Sequence, residues 1–240
     1  MNWQNVATIA RKDITIMMTR RSLRIALVVL PLGLAVLFSQ IIAHSNMPAD
    51  QLPKTLNAFL FFFMIYTGAL PANLASYSMV GEKVERSLEP LLATPASDGE
   101  ILLGKALAAL LPPLVVMWAG MVTLMALCDA FTHATLGYLY FPNWLAAVTV
   151  FGLAPLLGIM AVAFSVLMSA RVSEVRTAQQ LGALTAIPGV VLYIGLLSGA
   201  FTLDLGSLAV LCAAFAAVDA GLLLAARATF HREEILTRWA

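Results

Sequence analysis

Apolar residues run in six long blocks along the chain, at 25–43, 55–81, 106–128, 144–170, 177–203 and 205–226, and charged residues collect between them. A helix rises about 1.5 Å per residue and the hydrocarbon layer is about 30 Å thick, so about 20 apolar residues cross it. The first five blocks contain no Asp, Glu, Lys or Arg, and the sixth contains one charge, Asp219. The pattern predicts an all-α polytopic membrane protein. It is read as one transmembrane domain over 1–240, with spanning helices at 22–44, 55–81, 103–128, 144–170, 178–203 and 205–227.

Ahead of the first span, Trp3, Val6, Ala7, Ala10, Ile14 and Met17 recur at helical spacing, with Gln4, Asn5, Thr8, Arg11, Lys12 and Thr15 opposite. Such a pattern predicts an amphipathic helix over 1–21 lying in the membrane interface, its Trp at headgroup depth. Six spans return both termini to one side. Of the 14 basic residues, 13 fall on that side, in the segment before span one, between spans two and three, between four and five, and after six; only Lys54 falls opposite. Loops rich in Lys and Arg stay cytoplasmic, so both termini are placed in the cytoplasm and the chain in the inner (cytoplasmic) membrane.

Composition changes the picture little: 61% hydrophobic and 11% charged residues exclude an ordinary soluble domain. The basic residues are scattered over short segments without aromatic interleaving, which is topology and not a nucleic-acid surface. Thr19-Arg20-Arg21-Ser22-Leu23-Arg24 resembles a twin-arginine export signal but reads better as an anchor for span one, because the apolar run is long and five more follow. Cys128 and Cys212 have neither metal-ligand nor disulfide-framework spacing, and His44, His133 and His231 build no site. No nucleophile–base or paired-carboxylate arrangement stands out in the spans, so an intramembrane enzyme ranks low.

Two intramembrane features invite a functional reading. Asp219 lies about seven residues from the end of span six, where an acid is expensive; it either binds a cation or proton, or is structural and hydrogen-bonds a neighbour such as Asn73, Tyr66 or Gln179 in its neutral form. Gly195 and Gly199 in span five permit close helix approach and are a candidate dimer seam. Prolines Pro31, Pro71, Pro112, Pro113, Pro155 and Pro188 interrupt five spans and predict kinks.

The outer loops, near 45–54, 129–143 and 204, are too short to enclose a folded domain. The most specific pattern lies on the inner side, in the loop at 82–100, where Glu82, Lys83, Glu85 and Arg86 precede Leu88, Leu91 and Leu92 and then Pro95. The three leucines fall on one side of a helix too short to span, which predicts a docking knob for another protein. Glu82, Glu85 and Glu89 either orient that contact or solvate the loop.

This loop, closing with Ile101-Leu102-Leu103-Gly104-Lys105, resembles that of type 2 ATP-binding-cassette (ABC) exporter permeases, in which a Leu-Glu-x-Leu-Leu-x-x-Pro core precedes Ile-x-x-Gly-Lys. Ile9-Ala10-Arg11-Lys12-Asp13, Ala178-Gln179-Gln180-Leu181 with Pro188, and Phe230-His231-Arg232-Glu233-Glu234-Ile235-Leu236 are similar too, so the likeness covers nearly the whole chain. The resemblance implies a half-transporter whose segment at 87–95 is a coupling helix seated in a separate ATPase, contacted through Glu82, Glu85, Arg86, Leu88, Glu89, Leu91, Leu92, Thr94 and Pro95, with Arg171 and Arg176 touching the same partner. It also implies a second permease copy, a homodimer, with ATP and Mg bound by the ATPase and no cofactor in this chain. Ser87 and Asp98-Gly99-Glu100 depart from the family pattern and leave open which ATPase it meets.

Gly99 to Ala106 nearly spells a phosphate-binding loop, but it lacks the Ser or Thr for Mg²⁺ and any strand before it. The leading expectation is an ABC exporter permease coupling a partner's ATP hydrolysis to efflux. The alternative is a transmission subunit that passes strokes to an outer partner without moving a solute, through a surface at 132–142 rich in Tyr138, Tyr140 and Phe141; the same aromatics also suit an interfacial belt. The absence of Arg and Lys within the span interiors disfavours a strongly anionic solute held at the midplane, and substrate identity does not follow from the sequence.

Overall fold

Ser97 opens the longest helix of the molecule with a reciprocal cap: its side chain accepts from the Glu100 N–H, and the Glu100 carboxylate accepts from the Ser97 N–H. This capping box starts the helix well before the predicted 103. The computed structural model describes residues 2–19, 21–45, 47–81, 96–169, 171–172, 174–200 and 204–229. Nine α-helices are found among them: α1 (Trp3–Thr19), α2 (Arg21–Ala43), α3 (Leu52–Ser76), α4 (Asp98–Leu136), α5 (Trp144–Val148), α6 (Ala154–Ser169), α7 (Val175–Ala183), α8 (Ile187–Ser198) and α9 (Leu205–Thr229). Six helical stretches are long and apolar enough to cross a membrane, as the pattern predicts, and no strand occurs among the described residues.

At 39 residues α4 is roughly 58 Å long, nearly twice the hydrocarbon thickness. It therefore projects beyond the apolar layer, and the expected outer loop at 129–143 contracts to 137–143. Gly137, at φ +76°, ends the helix and donates its N–H to the His133 carbonyl. Asp129 is not a loop residue; buried on α4, its carboxylate accepts the N–H groups of Tyr140 and Phe141 at 3.0–3.1 Å and holds the turn down.

Helices α3 and α4 are central. α3 packs on α4, α6 and α8, while α4 also carries α1 and α2; α9 leans on α6 at the periphery, with most of its apolar surface facing outward. Phe38 of α2 stacks on Phe59 of α3 with centroids 4.4 Å apart, and Phe62 meets Phe38 and Tyr193 edge-on.

Two helical irregularities follow from proline chemistry. α5 and α6 form one span joined by a π turn, Thr149–Leu153, just before Pro155, which has no N–H to continue the ladder. The Trp118 indole N–H fills part of the gap by donating to the Val150 carbonyl at 2.8 Å. Span five is tightened: a 3₁₀ turn, Leu184–Ala186, joins α7 to α8 in one continuous helical path, and Pro188 stands in the first turn of α8, where its missing donor does no harm.

Glycine sets how closely span five approaches span two. A Cβ built on Gly189 would lie 2.7 Å from the Ile65 nitrogen and Met64 carbonyl carbon, and one on Gly68 would lie 2.5 Å from the Thr185 oxygen. The Gly195–Gly199 pair works within this chain: Gly195 is buried, and Gly199, at φ +73°, is the C-cap of α8. These positions give no support to the expected dimer seam.

Candidate functional site

The N-terminal helix, the ends of α3 and α9, the start of α4 and α7 share one face of the bundle, hereafter the near face. The residues expected to dock an ATPase between spans two and three, Glu82, Glu85, Arg86, Leu88, Glu89, Leu91, Leu92, Thr94 and Pro95, lie outside the described residues. What the structure gives is the frame on which that segment is mounted: the π turn Tyr77–Gly81 leading into it and the capped start of α4 leading out.

α1 packs along the start of α4. Its buried stripe is Val6, Ile9, Ala10, Asp13 and Met17, whereas Trp3 and Ala7 are exposed. The face expected to be purely apolar is thus rotated, and its centre is a carboxylate. Gly104 makes the approach possible, since a Cβ there would stand 2.9 Å from the Ile9 side chain and 3.1 Å from the Val6 carbonyl oxygen.

Close approach brings three polar groups together in the interior. Lys105 Nζ lies 3.1 Å from Asp13 Oδ2; Ser78 Oγ, on the π turn, donates to the same oxygen at 3.0 Å; and Lys105 Nζ stands 3.2 Å from Ser78 Oγ. Lys105 is 1% exposed, Asp13 3% and Ser78 4%, so none of this charge is shared with bulk water. A second polar cluster sits at the tip of α1, where the Glu100 carboxylate accepts from the Asn2 N–H and, at 3.0 Å, from the Asn5 amide, in addition to its cap on Ser97.

α7 carries Arg176, with Arg171 just before it; both are exposed on the near face, as docking would require. The Ser76 hydroxyl, at the end of α3, donates to the Ala178 carbonyl of α7 at 3.1 Å, and Gly182 fits among Ala72, Ser76 and Ser165. The 3₁₀ turn of span five is fixed to span two as well: the Thr185 hydroxyl lies 2.9 Å from the Gly68 carbonyl oxygen.

The intramembrane candidates are not brought together. Asp219 is buried on the face of α9 toward α6, and neither of its carboxylate oxygens has a hydrogen-bond partner among the described residues. Asn73 lies on α3 and donates to its own helix, at the Ala69 carbonyl, 2.9 Å away. Just toward the near face from Asp219, a groove of about 650 Å³ runs between α4, α6 and α9, walled by Leu103, Leu107, Ile159, Val166 and Leu223.

At the far face the aromatic cluster divides. Tyr138 is exposed, but Phe141 is buried, and the Tyr140 hydroxyl accepts from the Asn57 amide at 2.8 Å, where burial pushes its pKa up from the usual tyrosine value. A partner surface made of all three aromatics is therefore not present. Asp204, expected as an outer loop, caps α9 by accepting the Ser207 N–H at 2.9 Å; the Ser207 hydrogen bonds hold its carboxyl below the usual range.

Asp13, Ser78, Glu100 and Lys105 were not singled out as site residues from sequence. Signals were present for three of them: Asp13 shares the helical stripe of Val6, Ala10 and Met17 and interrupts it with a charge, Lys105 closes the Ile-x-x-Gly-Lys pattern, and Glu100 stands three residues after Ser97, the spacing of a capping box.

No curated protein matches the chain by sequence. The family model described as ABC-2 family transporter protein does match, over residues 7–208. That stretch begins within α1, takes in the first five spans with Gly104 and Lys105, and ends at the start of α9, and the chain belongs to the ABC-2 transporter family, as the membrane component of an ABC transporter.

Proposed function

We propose that the chain is the permease subunit of an ABC exporter, working as a homodimer with a separate ATPase that binds the ATP and Mg²⁺ and hydrolyses the nucleotide. Both termini and the near face lie in the cytoplasm, in the inner membrane of the cell. α1 rests in the interface, and the segment at 87–95 is the coupling helix. The observation that carries this reading is the sidedness of the molecule. In the sequence, 13 of the 14 basic residues fall in the segments that share the termini's side, and the near face carries the exposed Arg171 and Arg176 and the buried polar clusters, while the described residues of the far face form short turns.

Affinity purification of the tagged chain, followed by mass spectrometry, is expected to recover an ABC ATPase in near-equal amount. Inverted vesicles holding the two proteins are then expected to accumulate at least one component of the cell's own small-molecule extract only when ATP is supplied. A purified chain with no ATPase sinks the proposal. ATPase binding without accumulation, together with a copurifying outer protein, turns the reading to the transmission subunit.

Asp219 is assigned a structural place in this scheme. A carboxylate in the bilayer costs about 2.5–3.5 kcal/mol on insertion scales, and the amide of Asn, though still polar, has no charge to desolvate. Asp219→Asn is therefore expected to leave the melting temperature in detergent unchanged or raised and to retain more than half of the ATP-driven accumulation. Complete loss of accumulation with the complex intact would move Asp219 into the transport pathway.

A further inference from the structure

We infer that Asp13, Ser78 and Lys105 form a clamp that makes α1, the end of span two and the start of span three move as a single body. The inference rests on the proposed coupling to an ATPase, because it states how a push at this face reaches α1.

Geometry makes the case. Asp13 belongs to α1, Ser78 to the π turn that ends span two, and Lys105 to α4, so each of three separate elements contributes one group to one contact. Gly104, beside Lys105, lets α1 settle close against α4, so that the short Asp13 side chain meets the ammonium group inside the packed interface. The π turn does the equivalent on the third side, since its extra residue per turn changes which side chains face α1, and Ser78 is one of its buried residues.

Stability alone is a weak reason to bury such a pair, because desolvation offsets most of the attraction and well-packed apolar residues commonly do as well. A buried pair does fix registry. Sliding α1 by one residue along α4 turns Asp13 away from Lys105 and Ser78 and leaves a buried carboxylate without them, whereas an apolar stripe tolerates the slip. The Glu100 cluster supplies a second attachment. Asn5 and Asp13 are roughly 12 Å apart along α1 by helical rise, and two attachments at that spacing prevent α1 from pivoting about either one.

The clamp is tested on the full chain with its copurified ATPase, in a background with Cys128 and Cys212 replaced by alanine. Spin labels are placed on cysteines at Thr8, exposed on α1, and at Gly99, where a Cβ meets nothing within 4 Å. The parent is expected to give one narrow distance distribution that ATP does not change. Asp13→Asn and Lys105→Gln are each expected to at least double its width and to lower permease-dependent ATP hydrolysis about tenfold, with the ATPase still copurifying. Exchanging the charges, Asp13→Lys with Lys105→Asp, is expected to narrow the distribution again. If Asp13→Asn does not accumulate, Ser78→Ala, which keeps the ion pair and removes one donor, is read instead and is expected to broaden the distribution less. An unchanged width in these variants, or a doubled width with hydrolysis unaffected, overturns the clamp. A parent that binds no ATPase sinks the transporter reading instead, and the widths alone then decide whether the clamp exists.

Discussion

Replacing Gly68 and Gly189 together with alanine is expected to detach span five from span two and to leave little folded protein in the membrane. Alanine is the better helix former by about 1 kcal/mol, so in an open helix the change is neutral or stabilising. Here each added methyl meets backbone: 2.5 Å from the Thr185 oxygen at one site and 2.7 Å from Met64 and Ile65 at the other. Backbone cannot rotate aside as a side chain does, so the helices must separate. Separation also removes the Gly68 carbonyl from the Thr185 hydroxyl, whose proton it shares with the Gly182 carbonyl. Overpacking of this kind costs about 1–3 kcal/mol per site, and two adjacent sites consume much of a typical stability of about 5–15 kcal/mol. Each single variant should lower the melting temperature in detergent, and the double should fail to accumulate. Gly33→Ala and Gly221→Ala, where nothing lies within 4 Å, are the controls and should change neither. An unaffected double variant would mean that spans two and five do not touch as described.

The bundle was legible in the sequence because a bilayer imposes a length and an apolar requirement that charge-free blocks reveal directly. What the blocks could not reveal was where helices continue beyond the apolar layer. α4 outruns its block at both ends because caps, and not hydropathy, terminate helices: Ser97 with Glu100 at one end, Gly137 at the other. Pro188 was legible as an interruption but not as a helix start, since the same residue kinks a helix interior and suits a first turn. Gly195 and Gly199 fit a pattern for helix association between chains, but one is buried within the subunit and the other ends a helix, a difference that spacing cannot express.

The near face was half legible. Leucine spacing marked the segment at 87–95, and the resemblance pointed to Gly104 and Lys105, but neither gave a physical reason for them. The reason is α1: Gly104 admits it and Lys105 holds its acid. Asp13 stands beside the charged Arg11 and Lys12, so hydropathy alone does not separate it from them. Those two are exposed while Asp13 is buried, and a single turn of helix separates the two environments.

Replacing Leu91 and Leu92 together with glutamate is expected to preserve insertion and release the ATPase. The argument needs only sequence and the sidedness of the near face. The two leucines follow a run of charge in a loop that the basic-residue pattern predicts to be cytoplasmic, where apolar side chains are retained for contact with something other than water. Each apolar anchor at the centre of a protein interface contributes about 2 kcal/mol or more, so losing two weakens binding by roughly a thousandfold. Glutamate adds a second effect, placing two carboxylates where a partner would have to desolvate them. Insertion is governed by the six apolar blocks and by the positive residues on the near face, none of which the change touches. Copurification of the ATPase should therefore fall below detection while the permease accumulates in the membrane at parental levels. Glutamate at Arg171 and Arg176, which are exposed on the same face, should weaken binding less, because rim charges act chiefly on association rate. An intact complex in the Leu91→Glu/Leu92→Glu variant would refute the docking assignment and leave α7 as the remaining surface on which an ATPase could seat.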